Sequence, residues 1–484
     1  MKVHLSAICG TAMASLAGLL RELGHEVTGS DQNVYPPMST QLEALGIPIL
    51  SPYAEGNVPE DADVVVIGNA LSRGNPEVEV VLDRRQRYTS LPALLAEELL
   101  RPRRSLVVAG THGKTTTASL LAFLLDRAGL EPSFLIGGVP VDFERSYRVR
   151  EGKHFVVEGD EYDCAFFDKR PKFVHYLPEV AVLGNIEFDH ADIYPDLEAV
   201  KTAFVRLLNV VPRTGLLVAG ADSPALAELL PKAHCRVETF GLADGADWRA
   251  TELRPTAGGA RFRLHGKGQD LGHFVVSLPG EHNVLNAVAA VAVAVAEGVE
   301  PDAARQALEA FGGVRRRLEV RGREGGVTVY DDFAHHPSAV AATLQALREQ
   351  ETVGQLVAVF EPRSYTSRMR LFQEAYAEAL GTADRVVVAA AHLPEKVPEK
   401  DRISEPELVA RMRERGVEAD FVPTVDRIVG LLAGSLKAGD RVVILSNGGF
   451  GGICDRLLEA LAAGRSSRMA PPDNSSGAGE RPVI

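Results

Sequence analysis

Residues 105–129 read SLVVAGTHGKTTTASLLAFLLDRAG. The apolar run Ser105–Ala109 predicts a buried β-strand, and the leucines after Lys114, spaced three and four apart, predict an amphipathic helix that ends at Gly129. Between them lies the glycine-rich segment GTHGKTTT, residues 110–117. Glycines allow backbone N–H groups to converge on phosphate oxygens, and the N-terminus of a helix adds partial positive charge. The segment therefore predicts a phosphate-binding loop.

The residues of this loop have separate predicted roles in binding ATP. Lys114 can reach the β- and γ-phosphates, and the hydroxyl of Thr115 can bind Mg²⁺. The spacing is shorter than in the general phosphate-loop pattern, since Val108 stands where the first glycine would be. A tight turn with a solvated lysine is the alternative, but the strand, the helix and the two glycines together favour a nucleotide site. The predicted ATP-binding residues of the loop are Gly110, Thr111, His112, Gly113, Lys114, Thr115 and Thr116.

The composition limits the classes of protein to which the chain can belong. Its 484 residues are 45% hydrophobic and 24% charged, with a net charge of −13, which argues against a general nucleic-acid or anionic-membrane surface. The four cysteines form no CxxC pair, so neither a disulfide framework nor a zinc knuckle is predicted. The N-terminal sequence lacks the pattern of a signal peptide, and the longest apolar run, 287–296, is too short to cross a bilayer. We predict a cytoplasmic enzyme.

Short β-branched runs alternate with helical patterns in three successive parts of the chain. This alternation predicts parallel sheets covered by helices, with ligands at the carboxyl ends of the strands. Basic joints at residues 101–104 and 315–317 separate the three parts. The last residues are rich in Ser, Gly and Pro, a composition typical of disorder. The predicted domains are residues 1–103, 104–317 and 318–461, followed by a disordered tail at 462–484.

Five further segments follow the phosphate loop in order. They are EGDEYD at 158–163, NIEFDHAD at 185–192, GEHNVLNA at 280–287, RRRLE at 315–319 and DDFAHHP at 331–337. Together with GTHGKTTT they resemble the Mur ligases, and the resemblance covers nearly the whole chain apart from its end. It implies an α/β protein of three domains: a Rossmann-like N-terminal domain for a UDP-muramate, a central P-loop ATPase-type domain, and a C-terminal Rossmann-like α/β domain for a peptide.

Two of these segments supply candidate metal ligands. Glu158 closes one apolar strand and His190 follows another, so both can lie above the sheet edge that carries the phosphate loop. The resemblance assigns them to Mg²⁺, together with Thr115. From the residues alone, Glu158 could equally form a surface ion pair and His190 a hydrogen bond at the start of a helix. Some Mur ligases carry a carbamoylated lysine near the second metal, but Phe204 stands at that position here, which indicates the branch without it.

The resemblance also extends the ATP site beyond the loop. Asn283 and Asn286 lie three apart on a predicted helix, so both amides can face one ligand. Arg317 matches an arginine that touches ATP from the hinge, Asp331 matches a carboxylate near the ribose, and His335 is a further candidate contact. Without the resemblance, Asn286 would be interpreted as a helix cap and Arg317 as a solvated joint residue. The predicted catalytic residues are Lys114, Glu158, His190 and Arg317.

The first segment, HLSAICGTAM at 4–13, resembles the turn that binds the UDP diphosphate in muramate-using ligases. Ala7 replaces a usual glycine in this turn. Asp31, after the second predicted strand, could also suggest the ribose contact of an NAD-dependent oxidoreductase, which stays open as a competing class. The predicted UDP-sugar-binding residues are Cys9, Gly10, Thr11, Ala12, Met13, Asp31, Ser72 and Arg73.

The segments GSDQNVYPPMST at 29–40 and GNALSRGNP at 68–76 indicate a branch of the family. They resemble the branch that joins UDP-N-acetylmuramate to the tripeptide L-alanyl-γ-D-glutamyl-meso-diaminopimelate in cell-wall recycling. The alternatives are the branch that adds L-alanine and, from another class, a nucleotide-gated regulatory module. The tripeptide carries several carboxylates, which suits arginines in the third domain. The predicted peptide-binding residues are Arg363, Arg368 and Asn447.

The resemblance implies a two-step reaction. The lactyl carboxylate attacks the γ-phosphate of ATP to form an acyl phosphate, and the amine of the peptide then displaces phosphate. Lys114 and Mg²⁺ are expected to neutralise the charge that develops when two anions meet. The expected partners are small-molecule substrates, UDP-N-acetylmuramate and the murein tripeptide, with no nucleic acid and no membrane, and the expected assembly is a monomer or a weak homo-oligomer.

Overall fold

The structure is a computed structural model that describes residues 1–36, 38–350 and 353–469. The chain divides into two compact units, one comprising Met1–Arg317 with Gln345–Gln350 and the other beginning at Leu318. Both are built from β-sheets flanked by helices, which confirms the predicted α/β class. Within the described ranges, no helix combines the length and the apolar character needed to traverse a bilayer.

The first part of the chain folds around a small parallel sheet. Its elements are β1 (Lys2–Ser6), α1 (Thr11–Glu22), β2 (Glu26–Ser30), α2 (Met38–Ala44), β3 (Ile49–Leu50), β4 (Val64–Ile67), α3 (Pro76–Asp83), β5 (Tyr88–Thr89) and α4 (Leu91–Leu95). The strand order is β3-β2-β1-β4-β5, and every pairing is parallel. The order reverses at β1, and the crevice at the carboxyl ends of β1 and β4 is where open α/β sheets bind ligands.

The middle part of the chain forms a ten-stranded sheet in the order β17-β16-β15-β14-β13-β12-β6-β9-β7-β8. Its elements, together with the separate pair β10 and β11, are β6 (Arg104–Ala109), α5 (Lys114–Arg127), β7 (Ser133–Leu135), β8 (Tyr147–Arg148), β9 (His154–Glu158), β10 (Asp163–Ala165), β11 (Asp168–Pro171), β12 (Val180–Leu183), α6 (Leu197–Leu208), β13 (Leu216–Gly220), α7 (Pro224–Ala227), β14 (Arg236–Gly241), β15 (Trp248–Thr256), β16 (Gly259–Gly266), β17 (Gln269–Val276), α8 (Glu281–Ala296) and α9 (Pro301–Ala310).

Strand β6 lies between β12 and β9, with parallel pairing on both sides. Three strand ends therefore meet at one edge, and the phosphate loop, Glu158 and the segment after β12 converge there. Helix α5 packs on the sheet and against α8. It is buried along Thr115–Leu125, so the expectation of an amphipathic helix is wrong. The Ala and Val side chains of α8 pack in the hydrophobic core between this helix and the sheet.

The expectation of parallel sheets is also wrong at the two edges of this sheet. Strands β15, β16 and β17 pair antiparallel, as do β7 and β8. The chain reverses between β15 and β16 at Gly258 and between β16 and β17 at Lys267 and Gly268, all three with positive φ. Tight turns of this kind join antiparallel neighbours without a helical crossover.

The second unit contains a six-stranded sheet in the order β18-β19-β23-β20-β21-β22, in which the β18–β19 pairing is antiparallel and the others are parallel. Its elements are β18 (Glu319–Glu324), β19 (Val327–Asp332), α10 (Pro337–Arg348), β20 (Leu356–Phe360), α11 (Gln373–Leu380), β21 (Arg385–Val388), α12 (Glu405–Glu414), β22 (Glu418–Phe421), α13 (Val425–Ser435), β23 (Arg441–Leu445) and α14 (Ile453–Met469).

Helix α14 continues beyond the predicted start of the tail. Residues 462–469 belong to the helix, so the prediction of disorder from residue 462 is wrong for these eight positions. Ala462 and Ala463 favour helix. Residues 470–484, the remainder of the predicted tail, lie outside the described ranges.

Candidate active site

The loop between β6 and α5 turns tightly because two of its residues are glycines. Gly110 has a φ of +127° and Gly113 a φ of +83°, values that residues with a side chain rarely adopt. A Cβ on Gly110 would lie 3.0 Å from the backbone nitrogen of Gly184, and one on Gly113 would lie 2.4 Å from Oδ1 of Asn286. Both conformation and space therefore require glycine at these positions.

Asn185, two residues after β12, holds the phosphate loop in shape. Its backbone carbonyl accepts a hydrogen bond from the N–H of Thr111 at 2.9 Å, and its Oδ1 accepts one from the N–H of His112 at 2.8 Å. The hydroxyl oxygen of Thr111 in turn accepts from the N–H of Glu187 at 2.9 Å. The N–H groups of Thr111 and His112 are thus used within the fold, and Asn185 is a site residue that sequence analysis does not single out.

The ammonium group of Lys114 is surrounded by oxygen acceptors. It donates to the carbonyl oxygens of Gly110 at 2.6 Å and Thr111 at 3.0 Å. The two carboxylate oxygens of Glu161 lie 2.9 and 3.1 Å away. Burial lowers the pKa of Lys114, but the negative charge of Glu161 outweighs this, and the pKa is raised above its ordinary value. Lys114 is therefore a positively charged group at the phosphate loop.

Glu158, at the end of β9, faces the first turn of α5. Its Oε1 accepts a hydrogen bond from the hydroxyl of Thr115 at 2.9 Å, and its Oε2 accepts one from the N–H of Gly137 at 2.7 Å. Arg317 donates from Nη2 to the same Thr115 hydroxyl oxygen at 3.1 Å. A hydroxyl and a carboxylate oxygen thus lie side by side, which is the kind of donor set that Mg²⁺ prefers.

His190 contacts Glu161 rather than Glu158. Its Nε2 lies 3.0 Å from Oε1 of Glu161, and its ring centroid lies 4.4 Å from that of Tyr162. Burial lowers the pKa of His190, but the hydrogen bond and charge of Glu161 outweigh it, and the pKa is raised above its ordinary value. The structure therefore brings Thr115 and Glu158 into contact, and it links His190 to Lys114 through Glu161, a residue that sequence analysis does not assign.

Asn283 and Asn286 form a chain of hydrogen bonds that reaches the phosphate-loop helix. The hydroxyl of Thr117 donates to Oδ1 of Asn286 at 3.1 Å. Nδ2 of Asn286 donates to Oδ1 of Asn283 at 3.2 Å, and Nδ2 of Asn283 donates to the carbonyl of Pro279 at 2.7 Å. The two amides are thus neighbours beside the loop, and Asn286 lies within α8 rather than at its cap.

His282, in the same segment, has a strongly shifted proton affinity. Burial is the larger cause and the positive charge of nearby Arg317 the smaller one, and together they lower the pKa of His282 to about 4. The imidazole is therefore neutral at pH 7. The segment GEHNVLNA thus supplies three neutral polar side chains near the joint at Arg317.

In the N-terminal part, Asp31 ties the turn after β1 to the segment after β2. Its carboxylate accepts hydrogen bonds from the N–H of Cys9 at 2.9 Å and of Asn33 at 2.9 Å, and from the hydroxyl of Tyr53 at 3.3 Å. Ala7, which stands in place of the usual glycine, has a φ of +70°. The turn therefore keeps the conformation that a glycine would favour, and Asp31 holds it.

The other predicted UDP-sugar residues flank the crevice at the end of β1. Gly10 is the N-cap of α1, and Thr11–Met13 form its first turn, a position suited to an anion. Ser72 and Arg73 are exposed in the loop after β4. Arg73 pairs with Glu79 at 2.9 Å, so this cation is already partly compensated.

Glu77 is a buried acid at the same crevice that sequence analysis does not single out. Its side chain is fully buried, and it accepts hydrogen bonds from Ser6 at 2.6 Å, from Asn57 at 2.9 Å and from Ser30. Burial raises its pKa, but these hydrogen bonds and the nearby imidazole of His4, 3.8 Å away, outweigh burial and lower the pKa to about 2. A permanent negative charge therefore joins the ends of β1 and β2.

The second unit carries the remaining predicted ATP contacts. Asp331 lies in β19 and is 3.5 Å from Nη1 of Arg321. Nδ1 of His335 lies 3.0 Å from the carbonyl oxygen of Phe333, and the hydroxyl of Tyr376 donates to the carbonyl of His335. The segment DDFAHHP is thus anchored within its own unit.

Arg363 and Asn447 lie just beyond the carboxyl ends of β20 and β23. A Cβ on Gly448 would lie 1.9 Å from Nε of Arg363, so glycine leaves space for the arginine side chain beside this position. Nη1 of Arg363 lies 3.7 Å from Glu361, which accepts a hydrogen bond from the Ser446 hydroxyl at 2.5 Å. Oδ1 of Asn447 is buried and has no hydrogen-bond partner in the described part of the chain.

Arg368 differs from these two residues. It is 6% exposed, and its guanidinium donates to the carbonyl oxygens of His392 at 3.0 Å and Leu393 at 2.6 Å. These contacts fix the loop after β21, in which Leu393 has a φ of +50°. The geometry therefore gives Arg368 a role in the fold, and its contact with a peptide stays a prediction.

Three family models match the chain in succession. The Mur ligase family catalytic domain matches residues 2–102, the Mur ligase middle domain residues 108–294, and the Mur ligase glutamate ligase domain residues 316–448. The chain belongs to the Mur ligase family. This confirms the resemblance and the three-domain α/β architecture, and it excludes the oxidoreductase. As a Mur ligase, the chain is an ATP-dependent enzyme that forms a carbon–nitrogen bond.

Relatives of this Mur ligase carry two kinds of name. A protein from Escherichia coli strain K12, named UDP-N-acetylmuramate–L-alanyl-gamma-D-glutamyl-meso-2,6-diaminoheptandioate ligase, is 44% identical over 465 residues, which cover 96% of this chain and 98% of the relative. A UDP-N-acetylmuramate–L-alanine ligase from Solibacter usitatus is 36% identical, with 95% of each chain covered. The crystal structure of a murein peptide ligase from Psychrobacter arcticus has a TM-score of 0.71 and 39% identity, and the match covers 96% of this chain and 99% of that one.

Phe204 is a core residue of this Mur ligase. It is completely buried, and its ring centroid lies 5.5 Å from that of Phe173. The nearby Lys201 pairs with Glu198 at 2.8 Å and with Glu228 at 2.7 Å. The position that the resemblance compares with a carbamoylated lysine therefore contributes packing, and the lysine one helical turn earlier is engaged in ion pairs.

Proposed function

We propose that this Mur ligase joins the lactyl carboxylate of UDP-N-acetylmuramate to the amine of L-alanyl-γ-D-glutamyl-meso-diaminopimelate and converts ATP to ADP and phosphate. The observation that carries the proposal is the 44% identity, across 96% of the chain, to the E. coli relative that is named for this reaction. The Psychrobacter structure is named for the same class of peptide acceptor. The phosphate loop, with Lys114 beside Glu161 and with Thr115 in contact with Glu158, would supply the chemistry.

The donor set beside the phosphate loop fits Mg²⁺. The hydroxyl of Thr115 and the carboxylate of Glu158 lie 2.9 Å apart, and both offer oxygen to a hard cation. His190, held by Glu161, would provide the third side chain. When bound, the ion would add positive charge against the phosphates of ATP.

The residues of the chain serve a reaction between two anions. A lactyl oxygen attacks the γ-phosphorus, the bond from that phosphorus to ADP breaks, and an acyl phosphate results. The peptide amine then attacks the acyl carbon, and inorganic phosphate leaves with the bond electrons. Lys114, charged through Glu161, and Arg317, held at Thr115, would lessen the repulsion in the first step. No covalent protein nucleophile takes part.

Each of three parts of the chain would bind one substrate. Residues 1–103 would bind the UDP-sugar through the turn at Cys9–Met13, residues 104–317 would bind ATP, and residues 318–461 would bind the peptide through Arg363 and Asn447. A cytoplasmic location belongs to the proposal, since all four cysteines are free thiols and a reducing compartment suits them. The partners are small molecules, and a monomer or weak homo-oligomer is sufficient.

The second candidate is the L-alanine-adding ligase, which the 36% identity to relatives of that name supports. A phosphate-release assay with ATP, Mg²⁺, UDP-N-acetylmuramate and either amine separates the two. We expect kcat/KM for the tripeptide to exceed that for L-alanine by about a hundredfold or more, because groups built to bind the longer acceptor stay unsatisfied with the shorter one. Mass spectrometry of the amide excludes simple ATP hydrolysis. Equal or better use of L-alanine would establish the second candidate.

A further inference from the structure

Each N–H group of the Lys114 ammonium already has a hydrogen-bond acceptor. An ammonium carries three N–H donors, and the acceptors within hydrogen-bond distance are the carbonyl oxygens of Gly110 and Thr111 and the carboxylate of Glu161. A phosphate oxygen can bind this lysine only by replacing one of the three. The identity of the exchanged partner therefore determines how the site receives ATP.

Glu161 is the partner suited to exchange. The carbonyls of Gly110 and Thr111 belong to the backbone of the phosphate loop itself, so their positions are set by the turn that binds the nucleotide. The carboxylate of Glu161 is a separate negative charge, and it would repel a phosphate placed next to Lys114. Its replacement by a phosphate oxygen would exchange one anionic partner for another.

Glu161 is also firmly placed. It is 2% exposed, its Oε1 lies 3.0 Å from Nε2 of His190, and its carbonyl oxygen accepts from the hydroxyl of Tyr194 at 2.6 Å. The same carboxylate thus contacts the lysine of the phosphate loop and the histidine that follows β12. One side chain sets the distance between two groups that belong to different strand–loop connections.

The neighbouring acids of the EGDE segment have other partners. Glu158 contacts Thr115 and the N–H of Gly137. Asp160 forms an ion pair with Lys172. Of these three carboxylates, Glu161 is the one within hydrogen-bond distance of the Lys114 ammonium. Glu158 therefore faces the proposed Mg²⁺ site, and Glu161 faces the lysine.

We propose that Glu161 is a positioning residue of the ligase reaction. Its carboxylate holds Lys114 and His190 together, and the terminal phosphate of ATP replaces this carboxylate as a partner of Lys114. The inference rests on the proposed function, in which Lys114 binds ATP. After the exchange Glu161 keeps its contact with His190, and Lys114 moves to the phosphate from a fixed starting place. ATP binding is weaker by the cost of breaking this pair, and turnover is faster because Lys114 and His190 are already placed.

Calorimetric titration of ATP into the Glu161→Gln variant, in EDTA, tests the exchange directly. The amide has the shape of the carboxylate but lacks its charge, so a larger fraction of the protein can bind phosphate, and we expect ATP to bind on the order of tenfold more tightly than to the wild type. We expect kcat with Mg²⁺ to fall, because Lys114 and His190 lose their common anchor. A merely structural role would not tighten binding, and a role in holding Mg²⁺ would leave affinity in EDTA unchanged.

The matched control is Asp160→Asn, which removes a carboxylate one position away that pairs with Lys172 instead. Its ATP affinity should stay within about twofold of the wild type. Glu161→Asp moves the charge away from Lys114 by one methylene and should also tighten ATP binding, but less than Glu161→Gln does. Thermal melting checks the fold of all three variants. Unchanged or weaker ATP binding by folded Glu161→Gln and Glu161→Asp proteins would overturn the inference alone. A wild type that binds no ATP would overturn the proposed function with it.

Discussion

Lys114 carries its charge in a largely buried position because Glu161 compensates it. We predict that Lys114→Met lowers kcat of the ligation by about a hundredfold to a thousandfold, since a preplaced donor to the developing charge is lost. The matched control is Lys172→Met, which removes a neighbouring lysine that pairs with Asp160. Its activity should stay close to that of the wild type in the same phosphate-release assay. Full activity of Lys114→Met would remove the phosphate loop from the chemistry.

His282 makes stability depend on pH. Its pKa of about 4 lies below the ordinary value of about 6.5, so the folded protein binds the proton more weakly than the unfolded chain does. The contribution is complete above pH 6.5, and the free energy of unfolding falls as pH drops from 6.5 towards 4, by at most about 1.4 kcal/mol per pH unit. Denaturant titrations at pH 7 and pH 5 should show a smaller loss for His282→Gln than for the wild type. Equal losses would contradict the assignment.

Those residues of the candidate site that belong to a regular strand–loop–helix pattern were predictable from the sequence. A strand, two glycines and a helix predict the positions of Lys114 and Thr115, and an acid at a strand end predicts Glu158. The pattern does not tell which way a loop side chain turns, so Glu161 and Asn185 were not assigned. Burial is equally invisible in one sequence, so the sequence does not show that Arg368 is 6% exposed and holds a loop.

The element that sets the site is the turn into α5, and Gly113 is its strictest position. We predict that Gly113→Ala weakens ATP binding and destabilises the protein by about 1–3 kcal/mol, because a positive φ is combined with a contact to Asn286. Gly129→Ala is the matched control. Gly129 has a φ of +76°, but nothing lies within 4 Å of its added Cβ. Nucleotide titration and thermal melting should therefore separate strain alone from strain with a clash.

At the scale of elements, the parallel core was predictable because β-branched runs end where the chain must turn towards a helix. The hairpins from β15 to β17 were missed although a signal was present. Phe262 and Leu264 alternate with polar residues in β16, and Gly258 and Gly268 mark the turns. These strands are nine and eight residues long and mostly half-buried, so they lack the continuous apolar run that identified the others.

For the complete chain, we propose that the carboxylate of a UDP-sugar is activated by phosphorylation and passed to a peptide amine. Family membership follows from sequence over nearly the entire chain, whereas we propose that contacts in the second unit determine the acceptor. Arg363→Ala, which removes a partly exposed cation of that proposed site, should raise KM for the tripeptide by about tenfold or more with little change in KM for ATP. Equal changes in both values would argue against an acceptor role.

The fate of the lactyl oxygens shows whether the reaction passes through an acyl phosphate. UDP-N-acetylmuramate labelled with ¹⁸O in both carboxylate oxygens is converted with ATP, Mg²⁺ and the tripeptide, and the products are weighed by mass spectrometry. We expect one ¹⁸O in inorganic phosphate for each amide formed, with the other ¹⁸O in the amide. Label in AMP, or unlabelled phosphate alongside the amide, would contradict it.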